Sequence, residues 1–180
     1  MTAPVRRMNY FAGQLLTPED LQAEQDYHRE MRYRHNRLLG QGVVHGLDIT
    51  VTGGSTVAVS PGFAIDRCGR ELVLPDEVAL DVQVDVDGTN DRDGSRELIA
   101  TWAQEPDAFV VAIHEGTDEA AFTRWLERPR LAVVPVGDSP AESVVLGRVL
   151  LSGGEVSAVH LSGRDRWRRA KIGEGRPSRT

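Results

Sequence analysis

The stretch 43–74, VVHGLDITVTGGSTVAVSPGFAIDRCGRELVL, decides the fold. Valine, isoleucine and threonine recur in short, nearly alternating runs, and Gly53-Gly54, Pro61-Gly62 and Cys68-Gly69 punctuate them. β-Branched residues suit a pleated, half-buried surface, while glycine supplies the positive φ that tight turns need. The expected strands are 43–51, 56–60, 63–66 and 71–74, sequential neighbours in an antiparallel sheet. The same pattern continues toward the C-terminus over 78–84, 98–103, 109–114, 130–136, 144–151 and 156–161. A polar gap at 85–96 interrupts it, and Thr117-Asp118 reads as the cap of a short helix over 117–126. The expected fold is therefore α+β but mostly β, with a single antiparallel domain, sandwich or barrel-like, over 42–162.

Toward the N-terminus the pattern switches. Thr17-Pro18-Glu19-Asp20 offers a hydroxyl cap, a proline at the first helical position and two acids in the first turn. No glycine or proline follows before Gly40 and Gly42, so a long helix over 18–41 is expected, preceded by an extended arm over 1–17. Ala23, Tyr27, Met31 and Leu38 form a thin apolar stripe, with Arg34 and His35 where a further apolar residue would stand. Such a helix is too polar for a core. Two compatible readings remain: a solvated helix resting on its own domain through pairs such as Glu30 with Arg34, or a clamp on another subunit through a wet interface.

With 180 residues, 40% hydrophobic and 27% charged, the chain has the balance of one soluble globular unit with extensions. No apolar run is long enough to span a bilayer and the first ten residues lack a secretory apolar stretch, so a cytoplasmic protein without membrane insertion is expected. The single cysteine excludes an internal disulfide. Charge is uneven: 163–180 carries seven basic residues against Asp165 and Glu174, a surplus of five, leaving −11 on the rest of a chain whose net charge is −6. A flexible basic tail docking on an acidic surface is the reading, and an acidic body with one tail aromatic, Trp167, argues against nucleic acid.

No catalytic constellation is found: GxSxG, HExxH, CxxC, a Walker loop and GxGxxG are all missing. His28 and His35 share a helix face but stand roughly 10 Å apart along the axis, too far for one zinc ion. His45, His114 and His160 fall in or near strands without ligand partners at suitable spacing, and packing is their default role. The acidic loop 85–94 has the composition of a calcium site without its register, and a solvated hairpin loop is the plainer reading. Cys68, between Arg67 and Arg70, would have a depressed thiol pKa if exposed. No cofactor, metal or catalytic residue is assigned, and no enzyme activity is expected.

One block has a distinctive look: Arg7-Met8-Asn9-Tyr10-Phe11, Gly13-Gln14-Leu15-Leu16-Thr17, Asp20, Glu24-Gln25-Asp26-Tyr27-His28, His35-Asn36-Arg37, Gly42-Val43-Val44 and Gly46-Leu47. It resembles the opening of small baseplate-region proteins of extracellular contractile injection systems, the phage-tail-like particles. Residues 57–66 with Gly69-Arg70-Glu71 are similar to the β modules of such proteins, and the resemblance covers about residues 6–80. The family pattern has cysteine where His45 stands. The resemblance implies a structural subunit of the baseplate or its periphery, acting by protein contacts with other baseplate, tube or sheath subunits. It also implies multiple copies in a symmetric assembly that is released or stays in the cell. A target-binding or fibre-attachment module of the same particle is the alternative. The residues expected to touch partners are Arg7, Asn9, Tyr10, Phe11, Gln14, Tyr27, His28, Met31, His35, Asn36, Arg166, Trp167, Arg168 and Arg169.

Overall fold

The helix begins and ends where its local chemistry dictates. In the computed structural model, which describes residues 5–83, 93–114 and 117–169, α1 runs Pro18–Leu39. Thr17 caps it: its hydroxyl accepts from the Asp20 backbone N–H at 3.3 Å, and the Asp20 carboxylate accepts from the Thr17 N–H at 3.1 Å. That reciprocal pair satisfies two of the donors a helix start leaves open. Gly40 ends the helix at φ 129, its N–H returning to the Asn36 carbonyl. Along the solvated face Arg34 bonds Glu30 at 2.9 Å and Arg29 bonds Asp26 at 2.8 Å, the pairs that turn spacing brings together.

Thirteen strands follow among the described residues: β1 Gly40–Gly46, β2 Ile49–Gly53, β3 Thr56–Val59, β4 Gly62–Ile65, β5 Glu71–Leu74, β6 Val78–Asp81, β7 Gly94–Thr101, β8 Gln104–His114, β9 Thr117–Glu127, β10 Arg130–Pro135, β11 Val144–Ser152, β12 Glu155–His160 and β13 Arg168–Arg169. All strand pairings are antiparallel. They form sheets of order β13-β1-β4-β5, β10-β7-β11-β12, β2-β3-β6 and β8-β9. The expected single strand over 43–51 is broken in two because Leu47 stands at φ 56 after Gly46 at φ 59. The break drives Leu47 wholly into the core.

Three of the sheets share one core. Val43, Leu47, Ile49, Val57, Val59, Ala64, Leu72, Leu98, Val133, Leu146 and Val149 meet in it, with Trp102 packed against its edge. β7 is buried continuously from Arg96 to Ala100, the mark of a central strand covered on both faces. Its Glu97 is held by Ser139 Oγ at 2.6 Å and by Arg148 Nη2 at 2.9 Å. Burial pushes that carboxyl up, but the Ser139, Arg148 and Gly137 hydrogen bonds outweigh burial and leave its pKa below the usual value.

One expected element is corrected. Residues 117–126, read as a short helix, are the strand β9, paired with β8 from Gln104↔Glu127 to His114↔Thr117. The Thr-Asp pair that looked like a helix cap sits at the start of β9, and cross-strand pairing overrides the helical preference of Ala120 and Ala121. The loop considered as an ion site, 85–94, lies outside the described residues apart from Asp93 and Gly94. No helix among the described residues is long and apolar enough to cross a membrane.

Candidate protein-contact surface

Among the described residues the most exposed large apolar side chains include several on the arm, the helix and the β8–β9 ribbon, while others such as Val44, Val51 and Val73 lie on the β body. On the arm Phe11 is 67% exposed and Leu15 86%, with Tyr10, Leu16 and, in the first helical turn, Leu21 about half exposed. The ribbon shows Phe122 at 56% and Trp125 at 59% exposed. Scattered exposed leucines are ordinary, and exposed aromatics outside the core make the arm and the ribbon candidate contact elements.

One face of α1 looks toward the ribbon. Gln22, Gln25, Asp26 and Arg29 line a groove whose other wall is Gln104, Thr123, Arg124, Trp125 and Glu127, so that face of α1 looks toward the ribbon. Asp20 and Glu24 lie about half a turn around the helix from that face. Partial desolvation, with a smaller contribution from the Glu24 and Asp20 charges, pushes the Tyr10 phenol up. His28 bonds the Glu24 carboxylate at 2.9 Å.

At its C-terminal end α1 is locked to the β body. Asn36 is 6% exposed, and its amide donates to the Gly69 carbonyl at 2.9 Å and to the Glu71 carboxylate at 3.1 Å. Arg37 donates to the Cys68 carbonyl at 2.7 Å. Gly69, at φ 85, lies against the Tyr33 carbonyl so closely that a Cβ would overlap it. The turn carrying Gly69 is itself built on Asp66, which accepts from the Cys68 and Arg70 N–H groups at 2.8 Å and pairs with the Arg70 guanidinium at 2.6 Å. Arg70 in turn lies 5.2 Å over the Trp102 ring, tying this turn to the core edge.

The residues expected to meet partners are dispersed over this surface. Arg7, Asn9, Tyr10 and Phe11 are exposed on the arm, and Gln14 is half-buried, its side chain accepting from the Phe11 N–H at 3.4 Å. His28, Met31 and His35 are exposed on α1, and Tyr27 is half-buried. Asn36 is instead the interior joint described above. Arg166 and Trp167 are exposed, but their backbone follows β1: the Val43 N–H donates to the Asp165 carbonyl at 2.6 Å and the Trp167 N–H to the Val43 carbonyl at 3.1 Å. Arg168 and Arg169 pair with Gln41 and Gly40, so 163–169 of the expected basic tail lie on the body, and 170–180 lie outside the described residues.

The strand β9 is what the sequence reading missed; 109–114, read as a strand, falls within β8. The signal of β9 was present as Phe122 and Trp125 after an alanine pair, masked by the helix-like Thr-Asp start. Cys68 also differs from expectation. Partial burial and the neighbouring Asp66 carboxylate raise its thiol pKa, with Arg70 only partly opposing them. Among the described residues no three histidine, cysteine, aspartate or glutamate side chains converge on a metal position.

No protein-family model matches this chain, and no curated protein matches its sequence. The similarity lies in structure. A chain of the type VI secretion system TssK-TssF-TssG baseplate subcomplex, solved by cryo-electron microscopy, superposes with a TM-score of 0.51 at 13% identity over 93% of this protein. The crystal structure of TssK gives 0.48 at 13% identity over 87%, and a chain of the type VI secretion system baseplate complex gives 0.45 at 11% over 93%. This protein spans 60%, 41% and 58% of those chains, respectively. The first of these likenesses defines the class of fold: this protein shares the fold of part of a chain of that baseplate subcomplex.

Proposed function

We propose that this protein is a structural subunit of the baseplate, or the baseplate periphery, of a contractile phage-tail-like injection system, acting through protein contacts. The observation that carries the reading is the pairing of a shared fold with a placement of apolar surface. The β body resembles a chain of a baseplate subcomplex, and Phe11, Leu15, Leu21 and Trp125 are displayed on elements that the core does not use. A subunit that joins several neighbours needs a rigid centre and separate, partly apolar contact elements. Partners are accordingly other baseplate, tube or sheath subunits, in multiple related copies. No catalytic residue or cofactor is assigned.

The test is affinity purification of the tagged chain from its native host, with mass spectrometry and negative-stain imaging. Sheath, tube and baseplate components on tail-like particles are expected. Recovery of the chain without them overturns the proposal and returns weight to a target-binding module.

A further inference from the structure

We propose that the groove between α1 and the root of the β8–β9 ribbon binds a short, uncharged saccharide. Such binding goes beyond the assembly role, and of the exposed side chains assigned above to protein contact only Trp125 lines the groove.

One helix face has the wrong chemistry for packing. Gln22, Gln25, Asp26 and Arg29 recur at i, i+3, i+4 and i+7 and therefore share one face of α1. That face is turned toward the protein's own β body, where an amphipathic helix carries its apolar stripe. Here all four positions are polar, and they face the ribbon across an open space of about 610 Å³. The volume falls within the roughly 300–1,000 Å³ of ligand pockets. The helical wall is also braced: Asp26 accepts from the Gln22 amide at 3.0 Å and from the Arg29 guanidinium at 2.8 Å, so three polar side chains are held together before anything binds.

The ribbon supplies the other wall. Thr123, Trp125 and Glu127 alternate along β9 and line the groove. Trp125 is 59% exposed and stands opposite Pro106 in the ladder, a residue whose fixed φ stiffens the paired strand. Gln104, the cross-strand partner of Glu127, brings a third glutamine amide to the lining.

The chemistry of the lining selects the ligand. No aliphatic side chain is among the lining residues, so the apolar centre that a protein partner needs is missing. Asp26 and Glu127 offset Arg29 and Arg124, so no net field favours an anion or a cation. What remains is one indole surrounded by amide, carboxylate and guanidinium groups that donate or accept hydrogen bonds in pairs. A pyranose has the matching surface, with a face of C–H groups that stacks on an aromatic ring and neighbouring hydroxyls around its edge.

The test is an NMR titration of the full chain with maltotriose, cellotriose and triacetylchitotriose, each to about 10 mM, tenfold above a millimolar dissociation constant. The indole N–H signals of the three tryptophans are followed, and that of Trp125 is identified by its loss in Trp125→Phe. The Trp125 signal is expected to shift with at least one of the three sugars, at a Kd of about 0.1–1 mM. Trp125→Ala, at an exposed position, should abolish binding with wild-type circular dichroism, while Trp125→Phe keeps a ring to stack on and should retain it within about tenfold. Gln25→Ala should weaken it about fivefold, the share of one neutral hydrogen bond, and Trp167→Phe, outside the groove, should leave it unchanged. No shift with any of the three sugars, or a shift that survives Trp125→Ala, overturns the proposal. Binding of a hyaluronan hexasaccharide in place of the uncharged sugars assigns the groove to its arginines and equally overturns it. If the wild type binds no sugar and Trp125→Ala loses the baseplate components recovered from the host, the groove is a subunit contact; the saccharide reading falls and the assembly role stands. Sugar binding by a chain that recovers no baseplate components removes the assembly role alone.

Discussion

Replacing Asn36 by alanine tests whether α1 is held to the β body by the joint seen in the structure. The Asn36 amide donates to the Gly69 carbonyl and to the Glu71 carboxylate from a site only 6% exposed. A neutral hydrogen bond contributes about 1 kcal/mol and one to a charged group about 1.5–3 kcal/mol. The Glu71 side chain is 29% exposed, so the second bond belongs at the lower end of that range. The expected loss is therefore about 2.5 kcal/mol, or a factor of about 60 in the population of the detached helix. Because α1 is anchored at its C-terminal end, the opening should be local and readable by native-state trypsin cleavage at Arg29, Arg32 and Arg34. Cleavage tracks that population when closing is faster than cutting. His35→Ala, one residue away on an exposed side chain, is the control and should change stability by no more than about 0.5 kcal/mol. Cleavage of the Asn36→Ala protein within threefold of wild type would refute the reasoning, since the two bonds would then contribute nothing that water does not replace.

Gly69→Ala should be at least as damaging, since a left-handed backbone costs a non-glycine residue about 1–2 kcal/mol before the clash with the Tyr33 carbonyl is added; chemical denaturation measures it. Thr17→Ala removes one half of the reciprocal cap and should cost about 1 kcal/mol of helix stability, seen as fraying of the first turn in hydrogen exchange. Glu97 has a folded pKa below its unfolded value of 4.5, so its contribution is present above pH 4.5 and is lost as pH falls through the lower folded pKa. Glu97→Gln should flatten the acid limb of stability below pH 4.5, read as thermal midpoint against pH; an unchanged limb removes the assignment. Alkylation of Cys68 by iodoacetamide at pH 8 should be slower than that of an unburied thiol, because burial raises its pKa.

How much of this was readable beforehand depends on whether the determining interactions are local. The helix was legible because Thr17, Pro18 and Gly40 act within a few residues, and the structure begins and ends α1 on them. The strands of the core were legible because their β-branched runs alternate with turn residues. β5 is found as Glu71–Leu74, where the pattern places it. The split at Leu47 was not legible, since its positive φ is forced by packing into the core and by the close approach of Gly46 to the Pro61 carbonyl. Asn36 looked like a surface residue because nothing in a polar helix signals that Gly69 and Glu71, more than thirty positions away, will meet it.

The strand β9 failed for a different reason, and that reason bears on function. A core strand announces itself by alternation because one face must be apolar and the other wet. At its described root, β9 presents Phe122 and Leu126 to one side and Trp125 to the other, all exposed, so no two-faced pattern is imposed and local helix preference dominates a reading of the sequence. Apolar side chains on both faces make little sense for a strand of an isolated subunit, where each would remain in water. They are reasonable for an element covered on one side by its own helix groove and on the other by a neighbour. On the proposed assembly role, the segment hardest to read from local sequence is one whose exposed side chains a neighbouring subunit would cover.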